Sequence, residues 1–380
     1  MTVVRFHATN FRILHRFDWQ PEGVCLLAGP NGAGKTTVLD LLRFLRMLFE
    51  QGHEAAFSWT GSDHFRRLGT PENEPVLFKM EVGDVVWTLR FPMSYRGLLG
   101  TFGEELRHGD QMILRAGMYD EGWYLGKAKQ PFDERRCCLR WLWDRQEPAW
   151  LRPLRDVLEG LRSYPLFSVR DVRRMESANL SKNSLAFYGG NLFTVLEQWH
   201  SAKSRFPNQF DWVIAEARRA FPDSFDRIEF DQGTPLFFRP GSSDPSEGLS
   251  VRRMADGLLV ALLHLSAVAG AKPGSILALD EIEAHLHPHA IRSLLSALRK
   301  RASERSLTIL LTTQSPVVLN DFDREPDKVY ELAQTDQGST LVKLTDAHDE
   351  DWLSQAKLGS LYERLGFGSP HIPRSPGADE

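Results

Sequence analysis

Residues 23–52 read GVCLLAGPNGAGKTTVLDLLRFLRMLFEQG. The stretch begins with a short apolar run at 24–28, which is typical of a strand covered on both faces. After a loop that contains several glycines, Leu41, Leu42, Leu45 and Leu48 recur at helical spacing, and Gly52 lies near the end of this run. The segment therefore predicts a strand, a glycine loop and a helix in succession.

The loop itself fits the pattern GxxxxGK(S/T), as Gly29-Pro30-Asn31-Gly32-Ala33-Gly34-Lys35-Thr36. Glycines allow backbone N–H groups to turn towards phosphate oxygens at the positive end of a helix. In such loops the lysine reaches the β- and γ-phosphates, and the hydroxyl residue is a ligand of Mg²⁺. The sequence therefore predicts a site for ATP and Mg²⁺, to which the next residue, Thr37, also contributes. The alternative is an ordinary glycine turn that caps a helix, which the strand–loop–helix context disfavours.

A second apolar run, SILALDE at 275–281, ends in two adjacent acids. This is the usual form of a Walker B strand in P-loop proteins. Adjacent side chains at a strand end point to different sides, so the two carboxylates have separate tasks. We expect Asp280 to hold Mg²⁺ through water, and Glu281 to orient the attacking water and accept its proton.

Three histidines follow the acids at alternate positions, His285, His287 and His289. A spacing of two does not place three side chains on one helical face, and no cysteine lies nearby, so zinc is disfavoured. Pro288 favours a helix that begins there. We therefore interpret His285 and His287 as residues of the connecting loop.

Composition limits the class of protein. The 380 residues are 42% hydrophobic and 25% charged, and the 50 acids exceed the 46 Lys and Arg residues by four. Global charge thus gives no attraction to nucleic acid. The three cysteines, two of them adjacent at 137 and 138, suit a reducing compartment. The apolar segment 257–271 is too short to span a bilayer, and the sequence predicts a soluble, cytoplasmic protein with no membrane partner.

The chain divides into four predicted regions in an α/β fold. Residues 1–99 form an N-terminal lobe with the glycine loop and an antiparallel β subdomain, which includes a hairpin at 76–92 around Gly83 and Asp84. Residues 100–225, dense in Trp and Arg, are predicted as a mainly helical insertion. Residues 226–345 resume the β/α rhythm as the C-terminal ATPase lobe. Residues 346–380 form a tail whose end, rich in Pro and Gly, is predicted to be disordered.

Four segments resemble ABC-type ATPases of the RecF, SMC and OLD group. FRIL…FDW…GVCLLAGPNGAGKTTVLDLL resembles their first lobe, LDEIEAHLHP their Walker B and D-loop, and ILLTTQSPVVLN their switch strand. DEDWLSQAKLGSLYERLGFG is similar to the tail of stand-alone bacterial ATPases of this group. The resemblance covers roughly residues 1–95 and 250–368, and no motif covers the middle. It implies an ABC-type (RecA-like) P-loop domain.

The resemblance also implies a homodimer with ATP held between two copies, in which a signature helix of one copy faces the γ-phosphate on the other. RRMADGLLVALLHL at 252–265 matches that helix, with Asp256 and Gly257 as nucleotide contacts. Ala255 stands where relatives carry serine, which removes a hydrogen bond worth about 1.5–3 kcal/mol when made to a charged group. Ser250, Arg252 or Arg253 are the candidates to compensate.

Gln314 stands where the switch histidine is usual. Its amide can orient water or contact the γ-phosphate, but it cannot become a cation. Together with Ala255, this departure predicts slow hydrolysis that a partner controls.

The resemblance favours a nucleotide-gated clamp or sensor in DNA maintenance or defence against foreign DNA as the biological role. A separate effector such as a nuclease is expected, and DNA is a candidate ligand. The alternatives are a nucleotide-dependent scaffold with negligible hydrolysis, the ATPase subunit of a transporter, and a small-molecule kinase.

Two further groups of residues carry open alternatives. The tryptophans 123, 141, 143 and 150, with the arginines that follow them, either stack on nucleic acid or pack a core beneath a solvated face. Phe11 and Arg12 either touch the nucleotide or are ordinary strand residues. For both groups, packing is the favoured interpretation.

Overall fold

The computed structural model describes residues 3–61, 64–71, 73–94, 97–99, 102–117, 122–131, 136–175 and 183–365. The predicted disorder of 366–380 therefore lies outside the described residues. The first strands and helices are β1 (Val4–Phe11), β2 (Leu14–Trp19), β3 (Val24–Ala28), α1 (Lys35–Gln51) and α2 (His53–Thr60). Every residue of β3 is buried, and α1 begins directly after the glycine loop, so the predicted strand, loop and helix are confirmed.

The antiparallel β subdomain begins with the predicted hairpin. Its strands are β4 (Val76–Val82) and β5 (Val85–Phe91), with Val82 opposite Val85 across the turn. The chain continues through β6 (Met93–Ser94), β7 (Gly97–Leu98), β8 (Gly103–His108), β9 (Gln111–Ala116), β10 (Gly122–Leu125) and β11 (Ala128–Pro131). Strands β8 to β11 extend the sheet outward from β5.

The prediction of a mainly helical segment from residue 100 is therefore wrong over 103–116 and 122–131, which form strands joined by turns. Two tight turns, at Gly109 (φ 56°) and Gly126 (φ 59°), fold this stretch into hairpins. Among the described residues after 100, the first helix is α3 (Cys138–Gln146). The chain continues with α4 (Arg152–Gly160), a short strand β12 (Arg162–Tyr164), α5 (Val169–Arg174), α6 (Leu192–Ser201) and α7 (Gln209–Ala220).

The C-terminal part returns to β/α alternation, as predicted. A small separate sheet holds β13 (Arg227–Asp231), β14 (Thr234–Phe238) and β15 (Leu249–Ser250). The elements that follow are α8 (Asp256–Ala269), β16 (Ile276–Leu279), α9 (Pro288–Arg305), β17 (Thr308–Thr313), α10 (Pro316–Asn320), β18 (Val329–Thr335), β19 (Gly338–Lys343), α11 (Leu344–Ala347), α12 (Glu350–Ser354) and α13 (Leu358–Leu365).

Among the described residues, fourteen strands form one mixed sheet in the order β11-β10-β9-β8-β5-β4-β1-β2-β19-β18-β3-β17-β16-β12. Strands β18, β3, β17, β16 and β12 are parallel neighbours. Parallel strands end at the same edge of a sheet, where ligands of α/β folds bind. The glycine loop after β3, the acids after β16 and the glutamine after β17 are therefore neighbours in space.

The sheet separates two hydrophobic cores. Along β3, Leu26 and Ala28 belong to one core, and Cys25 and Leu27 belong to the other. Helix α8 is buried along almost its whole length in the first core. A helix that is apolar on all sides is a fixed support rather than a surface element, so the residues at its N-terminus are held on a rigid base.

The tryptophan group packs in the second core. Trp123 is 1% exposed and meets Trp141 edge to face, with 4.7 Å between the ring centroids. Trp143 is buried and Trp150 packs against the same cluster. Trp123 and Trp143 are buried, and Trp141 and Trp150 are partly buried against them. This supports the packing interpretation over stacking on nucleic acid.

Candidate functional site

The glycine loop holds its lysine in place through backbone carbonyls. Lys35 Nζ donates to the carbonyl oxygens of Gly29 (2.6 Å) and Pro30 (3.0 Å). Gly34 precedes helix α1 with φ 106°, and a Cβ there would lie 2.7 Å from Ile13 Cγ2. Only glycine fits this position, because the backbone is left-handed and the neighbouring side chain is close. The ammonium group is thus preset at the mouth of the helix N-terminus.

The charge of this lysine is poorly solvated. Lys35 is 7% exposed, and burial lowers its pKa, while the charges of Asp280, Glu281 and Glu283 act in the opposite direction. A buried cation gains from an anion placed beside it. The loop and the lysine together have the positive charge and the backbone arrangement that suit a bound phosphate group.

Oxygen ligands for a divalent cation lie beside the loop. Thr36 Oγ1 is 3.3 Å from Asp280 Oδ2, and Asp280 Oδ1 accepts a hydrogen bond of 2.5 Å from Thr312 Oγ1. A hydroxyl and a carboxylate at such a separation are the hard oxygen donors that Mg²⁺ takes in phosphate sites. The predicted pair, Thr36 and Asp280, therefore fits Mg²⁺.

Glu281 is fixed through the same threonine. Its backbone N–H donates to Thr312 Oγ1 at 2.9 Å, and its own φ of 44° turns the chain sharply after β16. Its Oε1 accepts a hydrogen bond from Gln314 Nε2 at 3.2 Å. The two predicted catalytic residues of this edge, Glu281 and Gln314, are thus in contact. Thr312 was missed by the sequence reasoning, although it lies in the strand that ends LTT.

A further carboxylate lies behind this pair. Glu283 Oε1 accepts the backbone N–H of Gln314 at 2.8 Å. Burial raises the pKa of Glu283, and the hydrogen bonds it accepts act in the opposite direction. Gln314 is consequently held between two glutamates, by its backbone on one side and by its side chain on the other.

The predicted signature residues stand at the start of α8. Ala255 precedes the helix without any side-chain cap, and Asp256 is its first residue. The guanidinium of Arg173, from α5, pairs with Asp256 and donates to Met254 O at 2.8 Å. Within the chain, the cation that pairs with Asp256 is therefore Arg173. The candidates Arg252 and Arg253 are exposed, and their contact with a partner's phosphate stays a prediction.

The N-terminus of α8 packs against the loop that follows Asp280 and Glu281. His285 Nδ1 is 3.9 Å from Asp256 Oδ2, and Gly257 is buried in the first turn. Within the described chain, the side chain of Asp256 contacts Arg173 and His285 rather than any residue of the loop 29–36. The structure thus brings Lys35, Thr36, Asp280, Glu281 and Gln314 together, but gives the signature residues a different set of neighbours.

The remaining candidates have structural partners. Phe11 is fully buried and meets Phe65 and Phe78 edge to face. Arg12 pairs with Asp40 of α1 and donates to Thr60 O at 2.9 Å. These contacts agree with the packing interpretation of both residues.

The histidines after the acids and the adjacent cysteines also have structural roles. His287 Nδ1 accepts the N–H of His289 (3.3 Å) and caps α9, which begins at Pro288 as predicted. Cys137 and Cys138 are free and buried. Among the helices of the described residues, none is long and apolar enough to cross a membrane.

Comparison with known proteins gives a family match over part of the chain. A family model described as "AAA domain, putative AbiEii toxin, Type IV TA system" matches residues 169–320, the part that carries Asp280, Glu281 and Gln314. No curated protein matches the chain in sequence.

Solved SMC head domains share the fold. An Smc head bound to the C-terminal winged-helix domain of ScpA is 12% identical, with a TM-score of 0.50, and the match covers 91% of this chain and 99% of that one. An Smc head with an extended coiled coil, bound to the C-terminal domain of ScpA derived from Pyrococcus furiosus, is 12% identical, with a TM-score of 0.51 and coverages of 91% and 98%. The chain therefore shares the fold of Smc head domains, an α/β fold with a P-loop, as the sequence predicted.

Proposed function

We propose that this chain binds ATP with Mg²⁺ and hydrolyses it slowly, as a dimeric, nucleotide-gated clamp. The observation that carries the proposal is the position of Thr312. Its hydroxyl donates to Asp280 and accepts from the backbone of Glu281, while Asp280 also lies beside Thr36 of the P-loop. One strand end therefore sets the distance between the metal ligands and the catalytic glutamate.

Each residue has a defined task in this proposal. Lys35 binds the β- and γ-phosphates, Thr36 and Asp280 hold Mg²⁺, and the bound ion neutralises charge on the phosphate oxygens. Glu281 orients the attacking water and accepts its proton. Gln314 donates to one oxygen of that carboxylate, which leaves the other oxygen for the water.

The proposed dimer supplies the second face of the nucleotide. The N-terminus of α8, with Ala255, Asp256 and Gly257, would face the γ-phosphate held by the partner copy. A phosphate is attracted by a helix N-terminus but repelled by a carboxylate. Arg173 balances the charge of Asp256, and this pairing makes the approach of a phosphate feasible. The missing hydroxyl at Ala255 supports slow turnover, and equally a scaffold with negligible hydrolysis.

The biological setting proposed is the cytoplasm, in DNA maintenance or antiviral defence, with a separate effector. The description of the family model names a putative toxin of a toxin–antitoxin system, which supports the role in defence. The Smc head of similar fold is bound to a domain of ScpA, which supports the separate partner. A partner that sets the hydrolysis rate fits both the altered signature and Gln314.

The experiment that tests this function measures phosphate release from ATP and Mg²⁺ by the purified chain, with and without duplex DNA. Glu281→Gln should lower the rate by about 10²–10⁴-fold, the range for a general base, and leave nucleotide binding intact. Glu304→Gln, on the exposed side of α9, is the matched control. A Glu281→Gln rate equal to that of the wild type would refute the assignment, and no turnover in the wild type with retained binding would favour the scaffold.

A further inference from the structure

The C-terminal helix α13 is fastened to the segment that follows the switch glutamine. Its first two backbone N–H groups donate to side chains there, Leu358 N to Asp323 Oδ1 and Gly359 N to Asn320 Oδ1, both at 2.8 Å. Leu358 and Leu361 are buried in the first core. The start of α13 therefore has both polar and apolar anchors.

The contact between α13 and α10 is made by backbone. A Cβ at Gly359 would lie 2.3 Å from the carbonyl oxygen of Pro316, the first residue of α10. No side chain fits in that space, so the two helices touch directly at this point. Because α10 begins directly after Gln314 and Ser315, α13 is coupled to the switch.

The same helix reaches the P-loop. Tyr362 Oη donates to Gly29 O at 3.2 Å, and this carbonyl also accepts Lys35 Nζ at 2.6 Å. The carbonyl of Gly29 thus accepts two hydrogen bonds, one from the lysine proposed to bind phosphate and one from the tyrosine of α13. Its position fixes where the ammonium group stands.

The tyrosine remains a donor across the working pH range. Burial raises the pKa of Tyr362, and the charge of Glu283 acts in the same direction. A protonated phenol donates to the carbonyl, whereas a phenolate would be repelled by it. The hydrogen bond therefore does not depend on pH near neutrality.

We infer that Tyr362 is a positioning residue for the P-loop, through which α13 ties the loop that holds the phosphates to the segment behind Gln314. This inference rests on the proposed nucleotide site and adds the element that aligns its two halves. Tyr362 acts through the carbonyl of Gly29, which also accepts the ammonium group of Lys35. Loss of its hydroxyl leaves Lys35 with a less constrained acceptor.

The test compares Tyr362→Phe with Tyr124→Phe, which removes a hydroxyl from strand β10 at the far end of the sheet. One neutral hydrogen bond changes an equilibrium by about threefold to tenfold, so the ADP dissociation constant and the KM for ATP should rise by that factor in Tyr362→Phe. The kcat should stay within about twofold, since uniform binding is lost rather than a transition-state contact. A general loss of folding would instead lower kcat as well.

A second measurement needs no nucleotide. Hydrogen exchange of the free protein should become faster in peptides covering 29–36 in Tyr362→Phe, and remain unchanged there in Tyr124→Phe. Unchanged exchange in this segment would overturn the inference, whether or not the wild type hydrolyses ATP. Absence of ADP binding by the wild type would refute the proposed function instead, so the two failures are distinguishable.

Discussion

Two helix N-termini in this molecule lie next to polar loops and differ in charge. Helix α1 starts with Lys35, whereas α8 starts with Asp256, and neither helix has a side-chain cap. The first end is attractive to anions through both its dipole and its lysine. At the second end, the carboxylate of Asp256 offsets the positive end of the helix dipole, and Arg173 in turn balances that carboxylate. The backbone before the two helices also differs, because Gly34 is left-handed and Ala255 is extended. One helix N-terminus is therefore strongly positive, and the other is a nearly neutral surface.

A single chain completes the α1 half of the proposed site, but not the α8 half. In the P-loop half, the carbonyl of Gly29 holds Lys35, and Thr36 lies beside Asp280. Thr312 joins Asp280 to the backbone of Glu281, so all of these contacts lie within one chain. At the α8 half, an acid at a helix N-terminus favours the helix itself, and the Arg173 pair leaves little net charge for a ligand. We therefore expect the α1 end to dominate affinity and the α8 end to influence association.

The largest expected effect comes from removing the cation of the α1 end. Lys35→Met retains the apolar stem but loses the two proposed bonds from the ammonium group to the β- and γ-phosphates. Each such charge-assisted bond is worth about 1.5–3 kcal/mol, so ATP affinity should fall by about a hundredfold or more. Titration with a fluorescent ATP analogue measures it, and Lys300→Met, on the exposed face of α9, is the control. Affinity that survives in Lys35→Met would break the comparison, because the α1 end would not be the phosphate receptor.

A second prediction concerns the support of the α8 end. His264 lies within α8, is 1% exposed, and burial lowers its pKa from 6.5 to about 3. The folded state therefore disfavours the proton, so this contribution to stability is present above pH 6.5 and is lost as the pH falls towards 3. Between pH 7 and pH 5 the loss is about 2 kcal/mol at 1.36 kcal/mol per pH unit below 6.5.

Urea unfolding at both pH values measures this loss. His264→Leu should reduce the difference in unfolding free energy between pH 7 and pH 5 by that amount, whatever its stability at pH 7. A variant at the exposed His289 (His289→Gln) should keep the wild-type difference. An unchanged pH dependence in His264→Leu would mean that α8 is not the rigid base described above.

The smallest effect is expected at the α8 end itself. Arg173→Gln leaves Asp256 uncompensated, so the ATP-dependent dimer of a hydrolysis-deficient chain should weaken by about tenfold, or ~1.4 kcal/mol. The affinity of the monomer for ATP should stay the same. Light scattering over a concentration series measures the first quantity, with Arg170→Gln on the same helix as the control. A loss of monomer affinity in Arg173→Gln would contradict the separation of the two ends.

The sequence predicted those parts of the site that are local in the chain. The glycine loop, Lys35 and the Asp280-Glu281 pair are carried by contiguous motifs, each next to an apolar strand. Thr312, Arg173 and Tyr362 were missed because their partners lie 31, 83 and 333 positions away in sequence. No local pattern marks a residue whose role arises only when distant segments meet.

The fold was predicted where burial gives a clear period. The wholly buried strands β3 and β16 were recognised by their apolar runs. Strand β9 was not, because its pattern of exposed, half-buried and buried residues has little alternation near the edge of the sheet. The turns at Gly109 and Gly126 were the available signal, and the tryptophans and arginines around them obscured it.

The molar mass of Glu281→Gln in solution shows whether two copies close over ATP and complete one another's site. Multi-angle light scattering is performed with ATP and Mg²⁺, with ADP and Mg²⁺, and without nucleotide. We expect the mass to double with ATP and Mg²⁺, and in neither of the other two conditions, because this variant does not hydrolyse the bound ATP. A mass that is the same in all three conditions, at ATP concentrations that saturate binding, would contradict this expectation.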